Sequence, residues 1–249
     1  MFEATAWGLL AGSSLLLGAL LVMLRHPTPL VLGLVLGFGA GVLISAVSYE
    51  LVEEAVGVAG GSRGAALGFV AGALVFFLGD TSIARLGQHS RDSADSMVDS
   101  SRNMRANPLS IVLGTVLDGV PESAVLGLTL LQTGEIGVAM LVAVFVSNVP
   151  EAVAATSDLL DGGWPRARIA GLWLAVAVAS ALSAGIGYVA LDGAAPATVA
   201  FIFAFAGGAI LAMLATSMIP EAYELAGRPV GLLVTFGFAV SFAISFLSE

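Results

Sequence analysis

Asp118-Gly119-Val120-Pro121-Glu122 and, 29 residues further on, Ser147-Asn148-Val149-Pro150-Glu151 each set a Pro-Glu pair near the middle of an apolar stretch long enough to cross a bilayer. A proline inside a helix removes one backbone hydrogen bond and crowds the carbonyl four residues back. A glutamate at membrane depth is costly unless something neutralises it. A double penalty used twice predicts a paired polar site between two spanning helices, with a cation as its occupant.

The chain around these pairs reads as membrane throughout. Of its 249 residues, 58% are hydrophobic and 11% charged, and the mean hydropathy is +0.99; soluble domains carry about 25% charged residues. A span needs about 20 apolar residues, and eight stretches qualify: 5–24, 29–56, 64–82, 108–131, 135–158, 167–191, 197–224 and 229–247. The breaks between them carry turn residues, such as Gly162-Gly163 and Arg228-Pro229. Residues 83–107 are Ser-rich with mixed charge, which predicts a flexible cytoplasmic loop within a single transmembrane domain covering 1–249. Glu3 near the start, with no cationic residue before the first span, favours a retained span over a cleaved leader. Cysteine is absent, which excludes disulfides, thiolate metal sites and cysteine nucleophiles. The net charge of −9 and the lack of lysine leave no basic footprint for nucleic acid.

Orientation follows from the arginines. With both termini outside, Arg25, Arg85, Arg91, Arg102, Arg105, Arg166, Arg168 and Arg228 fall on the cytoplasmic side and only Arg63 outside. An internal repeat is also visible: at an offset of 168, Gly39 aligns with Gly207, Ser48 with Thr216 and Glu53 with Glu221. The two spans so related run in opposite directions, as do the fourth and fifth. The pattern predicts an all-α integral membrane fold of eight transmembrane helices built as inverted-topology repeats with one pair nested at the centre, and with the substrate site near the midplane.

At that site Asp118 and Glu122 share a helix face, being four apart, and Ser147, Asn148 and Glu151 fall at i, i+1 and i+4 on the next span. The prolines should also free the carbonyls of Leu117 and Val146. Three carboxylates with no arginine at mid-span would repel one another or take up protons, so a divalent cation is the simplest neutraliser. Glu53 and Glu54 end the second span, and Glu221 and Asp158 lie toward the other side; they are candidates for ion access and release, set against a plainer role as helix ends in the headgroup region. Gly-rich stretches of the second and seventh spans, around Gly37 and Gly207, are expected to give smooth sliding contacts.

These residues resemble the ZIP family of divalent-metal transporters, whose fourth and fifth helices carry Pro-Glu signatures. Pro121-Glu122, Asn148-Val149-Pro150-Glu151 and Ile219-Pro220-Glu221 match it, while Asp118, Gly119 and Ser123 stand where the family has histidine, asparagine and glycine. The resemblance implies eight helices in the 3+2+3 arrangement, a plasma-membrane location with both termini outside, and a metal site at Asp118, Glu122, Asn148, Glu151 and Ser147. The implied cargo is Zn, Mn or Fe, carried toward the cytoplasm as substrate, with no resident cofactor. Oxygen ligands in place of imidazole shift the expectation toward hard ions such as Mn or Mg. Expected partners are divalent ions and the lipid bilayer, with a homodimer as an option. A non-transporting metal sensor or structural protein is the alternative. An intramembrane hydrolase ranks lower, because Ser147 has no histidine or lysine in any span to act as its base, and the chain is not expected to be an enzyme.

Overall fold

The structure is a computed structural model of the chain; it describes residues 1–25, 27–59, 62–92, 119, 122–132, 134 and 136–248. It is a bundle of long apolar helices: α1 (Phe2–Leu24), α2 (Pro29–Ala46), α3 (Glu53–Ala59), α4 (Ser62–Asp92), α5 (122–132), α6 (Val138–Asp161), α7 (Arg166–Ala190), α8 (Pro196–Met213), α9 (Ile219–Ala226) and α10 (Val230–Ser248). A π turn at Val47–Val52 joins α2 to α3, and a second at Leu214–Met218 joins α8 to α9, so each of these pairs is one continuous rod. Seven rods or single helices among the described residues are long and apolar enough to cross a membrane, their ends within a few residues of the expected spans. The expected eighth, 108–131, lies mostly outside the described residues. The chain is a multi-pass membrane protein.

Helix ends follow local chemistry. Thr28 caps α2, its hydroxyl accepting from the Val31 amide at 3.4 Å, with Pro29 in the first turn. Pro196 opens α8 in the same way. One boundary differs from expectation: α4 continues through Asp92, ten residues into the segment read as a flexible loop. Ala84, Arg85, Leu86 and Gln88 are good helix formers, so the helix outruns its apolar stretch. The remainder of that loop, 93–107, lies outside the described residues.

Packing rests on small residues rather than on an apolar-against-polar division, because lipid is as apolar as leucine. α1 packs on α7 and α6, α2 on α10, and α4 on α8. At the α2–α10 crossing the helices touch backbone to backbone: a methyl at Gly41 would strike the Val234 carbonyl, and one at Gly237 the Phe38 carbonyl. Large apolar side chains such as Leu67, Phe77, Leu182 and Leu232 are exposed and form the lipid-facing surface. A smaller cluster of Leu15, Ala152, Leu159, Ile169 and Trp173 ties α1, α6 and α7 together, and inside it the Trp173 indole donates to Thr156 Oγ1 at 2.9 Å.

The two π turns occupy related places. Ser48 Oγ donates to the Ile44 carbonyl at 2.8 Å, and Thr216 Oγ1 to the Ala212 carbonyl at 3.0 Å; donors and acceptors are both 168 apart. In the second turn the wide helix has a plain cause. Pro220 has no amide to offer the Thr216 carbonyl, and its ring would crowd that carbonyl in an α-turn. The Ile219 amide instead reaches back five residues to the Leu214 carbonyl.

Candidate metal site

α5 brings Glu122 into the interior, where 1% of it is exposed. The helix is held by close approach to α7: methyls at Gly127 and Gly187 would strike the carbonyls of Ala184 and Ala124. Those contacts fix one face of α5 against α7. Thr129, seven residues beyond Glu122 and on its side of the helix, lies beside Gly137 at the start of α6.

On α6, Pro150 lies inside the helix as the sequence reading required. Ser147 and Asn148 are buried and Glu151 half-buried. The two buried residues serve different neighbours. Ser147 lies against α2, its Cα 3.3 Å from where a methyl on Gly39 would sit, and its hydroxyl donates to the Val144 carbonyl at 3.1 Å. The Asn148 amide nitrogen reaches the Ala11 carbonyl of α1 at 3.5 Å. Adjacent helical residues diverge by about 100°, so the expectation that all three line one side is met only loosely. Ser147 keeps its oxygen lone pairs and Asn148 its amide oxygen, and both remain acceptors a cation can use.

Asp118 lies outside the described residues, as do Thr115 and Pro121. Among the described residues no group of three or more His, Cys, Asp or Glu side chains converges as a metal cage. Asp158 is exposed near the end of α6, within electrostatic reach of Asp161 and of Glu221 on α9; Glu221 also feels Glu224. The two residues named from the sequence as a release route thus share one end of the bundle. Glu53 and Glu54 sit in the first turn of α3, directly after the first π turn. Sequence reasoning missed both π turns and the Ser245–Glu50 hydrogen bond at 3.2 Å. Only the second turn had a signal, in Pro220.

Two comparisons with known proteins bear on these residues: no family model matches the chain, and no curated protein matches it.

Proposed function

We propose that this protein is a divalent-cation transporter of the ZIP kind, carrying Zn, Mn or Fe toward the cytoplasm of a cell whose plasma membrane it spans. The observation that carries the reading is Glu122: a carboxylate exposed to only 1%, on a helix that follows a proline, in a chain with no arginine or lysine at mid-span. A charge so placed needs a proton or a cation beside it. Asp118, Glu122, Asn148 and Glu151, with Ser147, supply oxygen donors from two adjacent spans, a set suited to a hard divalent ion that must also leave again.

The 3+2+3 inverted arrangement belongs to this reading. It is supported by reciprocal packing at the 168-residue offset. Gly207 on α8 faces Val47 and Leu51 of the first π turn, while its counterpart Gly39 on α2 faces Met218 of the second. Two half-molecules of opposite direction, packed through the same small residue, can rock about the central pair and expose the site to either side in turn. The acidic ends, Glu53 and Glu54 at one mouth and Asp158 with Glu221 at the other, raise the local concentration of cations.

The test is uptake by purified protein in liposomes across Zn, Mn, Fe, Co, Cd and Mg, repeated with Glu122→Ala and Asp118→His. Uptake should fall at least about tenfold in Glu122→Ala, the loss of one buried charge-assisted contact of about 1.5–3 kcal/mol. Undiminished uptake in that variant removes Glu122 from the site. Metal binding without flux in the unaltered protein favours the sensor reading.

A further inference from the structure

A second polar feature lies apart from the central carboxylates, in the seam between α2 and α10. Gly41 touches the backbone of α10 at Val234 and Phe238, and Gly237 touches α2 at Phe38 and Val42. One turn beyond this crossing, on the same two faces, stand Ser45 and Ser241. They therefore lie on the two faces that meet in the seam. Ser45 is fully buried and Ser241 exposed to 1%, and neither hydroxyl has a hydrogen-bond partner among the described residues. A further turn along α10, Ser245 donates to Glu50 Oε1 at 3.2 Å. Glu50 sits on the first π turn, and its other oxygen lies 3.1 Å from where a methyl on Gly137 would be. On the lipid side Tyr49 packs against Phe242 in a tilted pair, 5.0 Å between ring centres, and covers the seam.

One carboxylate and three hydroxyls thus lie along one seam. The glycine crossing closes one end and an aromatic pair covers its flank. Oxygen donors select hard cations. A single carboxylate balances one positive charge, whereas a divalent ion would leave a net charge buried in the bundle, at high cost. Irregular helix turns are also where transporters commonly coordinate sodium. We infer that Ser45, Glu50, Ser241 and Ser245 form a sodium site, distinct from the divalent-cation site. Sodium held there ties the first π turn to α10.

The test reads binding without transport, so its failure is separate from failure of the divalent-cation reading. Thermal unfolding of the purified protein in detergent is followed in sodium chloride, potassium chloride and choline chloride at equal ionic strength, with equilibrium dialysis of radioactive sodium alongside. Sodium should raise the midpoint by about 3 °C or more over choline at saturating concentration, with one ion retained per chain. Glu50→Gln and Ser241→Ala should each abolish both effects. Ser241→Ala removes a single oxygen from a packed seam and leaves the helix contacts in place, so it reports even if Glu50→Gln fails to fold. The proposal is overturned if sodium and choline give the same midpoint, if potassium matches sodium, or if the sodium shift survives in Ser241→Ala.

Discussion

At the scale of single residues, the hydrogen bond from Trp173 to Thr156 offers the cleanest measurement, because both side chains are buried and the distance is 2.9 Å. Either Trp173→Phe or Thr156→Val alone leaves one buried polar group without its partner, whereas changing both removes the need. A double-mutant cycle on thermal stability should give a coupling of about 0.6 kcal/mol, and no more than about 1.7, the span found for interhelical hydrogen bonds in membranes. A coupling near zero would mean that packing of the indole, not its N–H, holds α7 to α6. The central site calls for a different readout. Asp118→His should raise zinc uptake relative to manganese, since imidazole favours the softer ion. An unchanged preference in the liposome assay would remove Asp118 from the proposed site. Glu122, Ser147, Asn148, Pro150 and Glu151 could all be picked out from the sequence because proline and carboxylate are conspicuous in an apolar helix. The divergence of Ser147 toward α2 and Asn148 toward α1 could not. Adjacent helix positions are told apart only by their neighbours, and those are set by which helices pack together.

At the scale of elements, helix position was readable and helix geometry was not. Runs of about 20 apolar residues closed by Gly, Pro and Arg place α1, α7 and α10 to within a few residues. The π turn at Val47–Val52 adds less than one residue per turn to a helix that is apolar all round. Hydrophobic periodicity therefore carries no trace of it, and no proline marks it. The sliding faces expected around Gly37 and Gly207 gain a sharper form. A methyl at Gly207 meets nothing nearer than 3.5 Å, whereas one at the adjacent Gly208 runs into the Phe69 carbonyl. Gly208→Ala should therefore lower stability by about 1–3 kcal/mol through overpacking, and Gly207→Ala by less than about 0.5 kcal/mol. Thermal unfolding in detergent checks both. A much larger residue at Gly207, such as Leu, presses on Val47 and Leu51 of the first π turn. It should slow liposome uptake while leaving metal binding by dialysis intact. Full uptake by Gly207→Leu would end the idea that this contact moves during transport.

At the scale of the whole molecule, the side-chain contacts group helix ends in the way the expected topology groups them. The arginines place the end of the second span, the start of the fifth and the end of the eighth on one side of the membrane. In the structure Glu50, Gly137 and Ser245, one from each of those places, come together. The arginines place the ends of the fifth and seventh spans on the other side, and there Asp158 lies within electrostatic reach of Glu221, which also feels Glu224. Trp164, stacked under Arg168 at 5.3 Å, marks the same side as an interfacial anchor. A chain without cysteine lets this be tested directly, since any introduced thiol is the only one present. Asp192, in the turn after α7, and Asp161, the last residue of α6, are both exposed and flank α7 at its two ends. In intact cells a membrane-impermeant maleimide should label Asp192→Cys and not Asp161→Cys, and permeabilising the cells should bring Asp161→Cys to the same extent of labelling. The reverse pattern would invert the orientation and make the acidic end at Asp158 and Glu221 the outer mouth. Labelling of both in intact cells would place them on one side, which a single intervening span does not allow.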